Sequence, residues 1–240
     1  MTLDPDLLLR GYAAGIFPMA DSRTAKEVYW VEPRQRAILP LDRLHLSRSL
    51  RKTLRSDRFE VTRDRAFGEV VRRCAGRAET WINAGIEVGY AELHRRGHAH
   101  SVEAWADRTL VGGLYGVRLG RAFFGESMFS DVADASKVAL AWLVARLKVG
   151  GFVLLDCQFM TDHLKSLGAV EIAQADYLAL LATAVGGGGA ASAGATAGGA
   201  GAADASFDAL DTLLAARVPR AGAGVPPSGW VIAQLLGQTS

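Results

Sequence analysis

The chain has 240 residues, of which 50% are hydrophobic and 22% charged, with a formal net charge of +2. That balance suits a soluble globular protein with one main domain and a small second one. No apolar run approaches the ~20 residues that span a bilayer. The N-terminus lacks the basic segment and apolar core of a secretory leader, and the two cysteines, Cys74 and Cys157, read as reduced cytosolic thiols, which excludes a disulfide framework.

Asp4-Pro5 ahead of Leu7-Leu8-Leu9 predicts a helix with Asp as N-cap and Pro at its first position. Gly15 predicts its stop. Ile16-Phe17-Pro18 reads as a rigid apolar turn, Val28 to Val31 as a short strand ended by Pro33, and Ala37 to Pro40 as another extended piece. Ser47 opens a helix in which Arg48, Arg51, Lys52 and Arg55 follow i, i+3, i+4, i+7 spacing and so share one face. A same-sign stripe repels itself and fits a helix that faces phosphates. The alternative is a solvated face above a buried Leu50 and Leu54. From Arg34 to Arg73 there are twelve Arg or Lys against five Asp or Glu, on a chain otherwise acidic. Such a segment is either a docking face for a polyanion such as nucleic acid or an arginine-rich solvated surface.

Phe59 to Thr62 alternates as a strand. Asp64 is placed to cap a helix with Phe67, Val70, Val71 and Cys74 on its apolar side, ending near Gly76. Gly85 to Arg96 forms an amphipathic helix with Ile86, Tyr90 and Leu93 inward, stopped by Gly97. Ala99 to Ala106, Thr109 to Leu119 and Arg121 to Ser130 then read as a three-stranded antiparallel meander, with Asp107-Arg108 as its first tight turn. Gly112, Gly113 and Gly116 leave room for a ligand or another backbone. Ala135 to Val149 is a long apolar helix and Phe152 to Leu155 a buried strand. Helix 161–167, an extended piece from Ala169 to Ile172 and helix Gln174 to Val185 follow. The Gly/Ala-rich stretch from Gly186 to Ala203 reads as a flexible linker. Beyond it lie a short helix from Ser206 to Val218 and an apolar patch from Gly229 to Leu236 around Trp230. The sequence leaves open whether this tail docks on the core, binds a partner or stays disordered.

The chemistry concentrates in two segments, Gly125-Glu126-Ser127-Met128-Phe129-Ser130 and Leu154-Leu155-Asp156-Cys157-Gln158. A carboxylate on one strand end and a carboxylate–amide pair on another can face a common cleft and handle a proton during acyl transfer. The competing reading makes Asp156 a capping carboxylate after a strand. His94, His98 and His100 invite a metal site, but Gly97 interrupts any helix between the first two. No cysteine or carboxylate set completes a tetrahedron either, so hydrogen bonding or packing is expected of them and no metal. Neither a Walker nor a dinucleotide fingerprint occurs.

Many ordered segments together resemble bacterial leucyl/phenylalanyl-tRNA–protein transferases. They are Gly15-Ile16-Phe17-Pro18, Leu46-Ser47-Arg48-Ser49, Thr80-Trp81-Ile82, Gly97-His98-Ala99-His100-Ser101, Val111-Gly112-Gly113-Leu114-Tyr115-Gly116, Gly125 to Ser130, Asp156-Cys157-Gln158 and Ser166-Leu167-Gly168-Ala169. The resemblance runs from about Leu7 to Tyr177 and implies an α/β (α+β) chain. A small N-terminal domain (1–32) would precede a GNAT-like acyltransferase domain (33–185), a Gly/Ala-rich linker (186–205) and a tail of no assigned role (206–240). It implies transfer of Leu or Phe, less often Met, from aminoacyl-tRNA to the N-terminal α-amine of proteins that begin with Arg or Lys, marking them for degradation. The enzyme would be a cytoplasmic monomer with no cofactor and no membrane partner.

Position by position, Asp156 and Gln158 match the catalytic pair proposed for that family, Asp156 acting through Gln158 to orient the amine, with its proton going either to Asp156 or through the tRNA's own ribose hydroxyl. Glu126 matches a residue that hydrogen-bonds within the same site and is able to face the acceptor's cationic first side chain. Leu114, Phe123, Leu140, Leu143 and Leu155 match the pocket for the Leu or Phe side chain. Trp81 matches an aromatic that stacks on the terminal adenosine, with Met19 where a second Trp is usual and Tyr12 and Tyr90 nearby. Arg48, Arg51, Lys52 and Arg55 would hold acceptor-stem phosphates. Two other readings compete. An acyl-CoA-dependent GNAT acetyltransferase needs a Gly-rich turn for the pyrophosphate, whereas Ser130 to Ser136 holds two acids and no glycine. A non-catalytic RNA-binding protein leaves Asp156, Gln158 and Glu126 unexplained.

Overall fold

Short polar side chains at Asp4, Ser47, Asn83 and Thr161 fix where α-helices begin. In the computed structural model, which describes residues 3–77, 79–186, 205–216 and 228–237, Asp4 accepts a hydrogen bond from the Asp6 amide at 2.9 Å and Pro5 opens α1 (Pro5–Ala13). The segment expected to be a rigid turn enters a strand instead. β1 (Phe17–Met19) pairs antiparallel with β2 (Tyr29–Val31) in a two-stranded ribbon, where Pro18 has an edge position open to it. After β3 (Gln35–Ile38), Ser47 Oγ accepts from the Leu50 amide and starts α2 (Arg48–Arg55).

β4 (Glu60–Arg63) leads to α3 (Phe67–Ala75). Asp64 does not cap α3. It sits at φ 56° and spends its carboxylate on the Ser101 amide at 2.9 Å and His100 Nδ1 at 2.8 Å, and α3 starts without a side-chain cap. α4 (Ala84–Arg95) is capped by Asn83. The meander follows as expected: β5 (Ala99–Ala106), β6 (Thr109–Leu119) and β7 (Ala122–Ser130), with Asp107 and Arg108 both at positive φ, as a two-residue hairpin demands.

The rest of the chain adds α5 (Ala135–Val149), β8 (Leu154–Gln158), α6 (Asp162–Ser166), β9 (Val170–Ala173), α7 (Gln174–Gly186), α8 (Ala209–Ala215) and α9 (Ser228–Gly237). β8 begins and ends later than the apolar run that announced it. Pairing to β7 at Phe123↔Leu155 and to β3 at Ile38↔Asp156 carries the strand on through its polar residues.

Seven strands form one mixed sheet in the order β4-β5-β6-β7-β8-β3-β9. Among the described strands only β7 and β8 run parallel, and their pairing ends at Phe124↔Asp156. Side chains alternate across the sheet, so Leu114 of β6 faces α5 while Tyr115 faces α3 and α4. One core lies between the sheet and α5, and the other between the sheet and α1, α3, α4 and α7. The β6 glycines serve packing and not a ligand. A Cβ on Gly112 would lie 2.5 Å from Ala135 Cβ, so its absence lets the first turn of α5 press on the strand. Among the described residues no helix is long and apolar enough to cross a membrane.

The described parts of the tail dock on the core. Phe207 is 1% exposed, stacks on His100 at 4.2 Å and on Phe123 at 5.6 Å, and lies under the Arg146 guanidinium. Arg146 donates to Phe207 O and, through two nitrogens, to Asp211; Arg63 reaches Asp211 and Asp208. The expected helix from Ser206 begins only at Ala209, because Phe207 is turned inward first. The apolar patch around Trp230 is helix α9, which packs on α2 and α5 through Ile232, Ala233 and Leu236. Gly229 touches α2 so closely that a Cβ would fall 2.0 Å from Leu54 O. The expected linker, apart from Gly186 and Ala205 at its ends, falls at 187–204, outside the described residues.

Phe207→Ala removes the aromatic that joins tail to core. It should cost about 3–5 kcal/mol of stability, read by urea unfolding with circular dichroism. A loss under about 1 kcal/mol would mean the tail contributes no shared core.

Candidate active site

The end of parallel pairing between β7 and β8 creates the site. Two residues beyond Phe124↔Asp156, Glu126 and Gln158 meet side chain to side chain, Gln158 Nε2 donating to Glu126 Oε1 at 3.0 Å. Gln158 sits at φ 64°, a conformation that costs a non-glycine residue about 1–3 kcal/mol unless its surroundings enforce it. The enforcement comes from Asp156. Its Oδ1 accepts the Gln158 amide at 2.7 Å, the turn an Asp side chain makes with a backbone N–H two residues on.

Asp156 is fully buried and its oxygens are saturated. Arg36 of β3 donates from Nε at 2.9 and 3.1 Å and from Nη2 at 2.6 Å, and Tyr177 of α7 donates from its hydroxyl at 2.9 Å. Arg36 is 1% exposed, lies between the rings of Phe17 and Tyr177 at 4.6 Å from each, and donates to Gly15 O at 3.2 Å. Burial, then Asp156, pushes the Tyr177 hydroxyl up, which keeps it a donor. No face of the Asp156 carboxylate opens on the cavity, so the structure does not put it within reach of a substrate amine.

Glu126 is held differently. Tyr12 of α1 and Tyr90 of α4 donate to Oε1 and Oε2 at 2.7 and 2.8 Å, and their hydroxyls touch each other at 2.5 Å. Burial pushes the Glu126 carboxyl up to about 7, against the pull of the tyrosine and Gln158 hydrogen bonds, with Asp156 adding to the rise. Burial, and then Glu126 itself, pushes both tyrosines well above 10, so they remain neutral donors. Among the described residues no cation is bonded to Glu126, and that is what separates it from Asp156.

Glu126 and Gln158 form the floor of a cavity of about 260 Å³. Leu114, Leu140, Leu143 and Leu155 make its apolar wall, and Trp81, Arg77 and Phe159 stand at its rim. Four of the five residues expected in the apolar pocket are therefore together. The fifth, Phe123, is not: it is buried against Phe207 in the core beyond. Trp81 also lines a second cleft with Met19 and Tyr29, so Met19 and Trp81 share one wall. Tyr12 and Tyr90, expected near the adenosine, lie beneath Glu126 with no exposed ring face. Arg48, Arg51, Lys52 and Arg55 are exposed on α2 over buried Leu50 and Leu54, the arrangement expected of a solvated face. His94 and His100 bond to Ala99 O and Asp64 and stack on Phe67 and Phe207.

Sequence reasoning missed Arg36 and Tyr177. Arg36 was counted with the basic segment. The available signal was its place at the head of the apolar run Ala37-Ile38-Leu39, where strand alternation carries every second side chain to the same face. Both thiols are unsuited to nucleophilic work: burial pushes Cys74 up to about 12 and raises Cys157, which lines the cavity.

The sequence model of the family described as leucyl/phenylalanyl-tRNA protein transferase matches residues 38–182, and that of its N-terminal domain matches residues 1–34. A leucyl/phenylalanyl-tRNA–protein transferase of Rhizorhabdus wittichii is 65% identical over 246 residues, covering 99% of both chains. Those of Zymomonas mobilis and Novosphingobium aromaticivorans are 64% and 60% identical over 76% of this chain and 70% and 71% of theirs. The solved structure of FemX covers 69% of this chain and 66% of its own, with 13% identity and a TM-score of 0.46.

Two outcomes follow from the two carboxylates. Arg36→Met leaves Asp156 buried without its cation and should cost about 3–5 kcal/mol in urea unfolding, part of it regained on adding Asp156→Asn. The raised Glu126 carboxyl means that the folded protein keeps a proton that the unfolded chain has lost between pH 4.5 and about 7. Stability supplied by Glu126 is thus full below 4.5 and falls as pH rises to about 7. Glu126→Gln should flatten that window in unfolding curves measured across it, and an unchanged slope would refute the shift.

Proposed function

The chain belongs to the leucyl/phenylalanyl-tRNA–protein transferase family, and from that premise we propose that it moves Leu or Phe, and less readily Met, from aminoacyl-tRNA to the N-terminal α-amine of proteins that begin with Arg or Lys. The product carries a new destabilising N-terminus and is destined for degradation. The enzyme works as a cytoplasmic monomer, with a small N-terminal domain at 1–32 and a GNAT-like catalytic domain at 33–185.

The observation that carries this reading is the pairing of an apolar cavity with a buried, cation-free carboxyl at its floor. At about 260 Å³ the cavity is smaller than the roughly 300–1,000 Å³ of a drug-sized ligand site. It suits one amino-acid side chain, and Leu114, Leu140, Leu143 and Leu155 select it by size and shape. An aminoacyl ester is already activated, so catalysis reduces to placing a neutral amine and relaying one proton.

Glu126 takes the proton. The amine nitrogen attacks the ester carbonyl carbon, a C–N bond forms, and Glu126 accepts the proton the nitrogen sheds. As the C–O bond to the ribose breaks, the same proton returns to the leaving oxygen. A carboxyl near 7 serves both transfers, because neither direction is steeply uphill. Gln158 moves its amide from Glu126 to the carbonyl oxygen as negative charge develops there. Asp156, with Arg36 and Tyr177 behind it, is a positioning residue that holds Gln158 at its unusual backbone angle. An anionic Glu126 also attracts an acceptor that starts with a cation. Trp81 stacks on the terminal base, and the α2 cations hold the acceptor stem.

Radiolabelled Leu should pass from Leu-tRNA to peptides beginning with Arg or Lys, and not to those beginning with Asp or Ala. The product should fall at least about tenfold in Asp156→Ala. Tight tRNA binding with no transfer to any peptide would sink the reading and favour an RNA-binding protein. With an Arg-initiated peptide, kcat/KM should rise with pH through about 7. Glu126→Gln should lose about 10²–10⁴ in rate and retain only the inflection of the acceptor amine.

A further inference from the structure

The α2 stripe accounts for four of the basic residues between Arg34 and Arg73. Another group of arginines gathers elsewhere, at the end of α3. Arg72, Arg73 and Arg77 line an open cleft of about 570 Å³, with Ser130 and Asp131 of the β7 end and Ser136 of α5 opposite. Arg72 pairs with Glu69, and Arg73 pairs with Asp131 while lying 5.0 Å over Phe129. Arg77 is exposed and makes no ion pair among the described residues.

The place of this cleft is what gives it meaning. It shares Arg77 and Met128 with the aminoacyl cavity, so a molecule whose acyl group fills that cavity passes over Met128 into the cleft. Helix α2 lies nearby without lining the cleft. Thr53 of α2 bonds to Asp134 at 3.5 Å, and Lys137, next in the chain to Ser136 at the cleft wall, pairs with the same carboxylate. Helix α2, the arginine cleft and the cavity are thus met in turn at Asp134, at Ser136 and at Leu140 and Leu143. The neighbouring cleft on the Trp81 side has the opposite character. It holds Asp21 and Glu79 against Arg23, and Arg23 is already paired with Glu87 at 2.6 Å. A polyanion is drawn to one cleft and repelled by the other.

We propose that the arginine cleft binds the phosphodiester backbone of the unpaired 3′ end of the aminoacyl-tRNA, between the stem held on α2 and the acyl group in the cavity. Arg72 and Arg77 contact phosphates, and Arg73 is kept in place by Asp131 and Phe129. This inference rests on the reading of the donor as aminoacyl-tRNA. Contacts of this kind position the substrate without reading its bases.

The experiment compares three donors of one Leu ester: leucyl-adenosine, the leucyl ester of the trinucleotide CCA, and full Leu-tRNA. Arg72→Ala with Arg77→Ala should raise KM for the trinucleotide about three- to tenfold more than for leucyl-adenosine. It should also make the dependence of log KM on log salt shallower by about 0.7 for each phosphate no longer neutralised. Lys at both positions should restore part of each effect. Arg51→Ala with Lys52→Ala should act on full tRNA more than on the trinucleotide. Equal effects on leucyl-adenosine and the trinucleotide would overturn the proposal, and so would a change confined to the KM of the acceptor protein. If no donor supports transfer even in the unaltered enzyme, it is the proposed transfer reaction that fails. The cleft is then read by fluorescence anisotropy of labelled CCA trinucleotide, whose affinity should still drop in the Arg72→Ala, Arg77→Ala variant; an unchanged affinity there would overturn the proposal independently.

Discussion

Everything at this site hangs from the ion pair between Arg36 and Asp156. Both groups are sealed from water, and a pair in that position is stable only when every donor and acceptor is matched. The matching is supplied by four residues: Gly15 through its carbonyl, Phe17 through its ring, Tyr177 through its ring and hydroxyl, and Gln158 through its amide. The ribbon β1–β2, strands β3 and β8, and helix α7 are thereby locked to one point. Loss of any one partner leaves a charge in the interior and lets Gln158 relax from its left-handed conformation.

Glu126 shows what burial does without a cation. It is nearly as enclosed as Asp156, and it also accepts several hydrogen bonds, but from neutral hydroxyls and an amide. Neutral donors only partly offset the loss of water, so its carboxyl rises towards neutrality. Two neighbouring carboxylates are thus held differently, one by a guanidinium and one by neutral donors alone. Tyr12 and Tyr90 belong to the second arrangement, which is why they lie under Glu126 and away from Trp81.

Much of the fold was legible in local patterns. β5, β6 and α5 carry periods that leave one reading open, and their limits fall where alternation or apolar continuity stops. The site was legible only in part. Glu126 and Gln158 stood out because polar residues end apolar strands there. Arg36 did not, since its partner is 120 residues away and an arginine in a basic segment looks like solvated charge. Asp64 misled for the same reason: a cap next to a helix start is a local expectation, and a strand neighbour at Ser101 outcompeted it. Phe123 is close to pocket residues in sequence, but its ring is claimed by Phe207, far along the chain in the tail. Long-range partners of this kind leave no periodic trace.

Docking of α9 on α2 also bears on when the protein becomes competent during synthesis. The inner face of α2, Leu50 and Leu54, is completed by Ile232, Ala233 and Leu236, which leave the ribosome after every other described element. Domains tend to form from the N-terminus as the chain emerges. A nascent chain can therefore close its sheet, bury Arg36 with Asp156 and shape the aminoacyl cavity while its cationic helix is still covered on one side only. The cavity is shaped first, and the full support of the cationic helix comes last. Emergence of α9 from the ribosome, itself surrounded by RNA, is then the step at which the basic helix gains its final support.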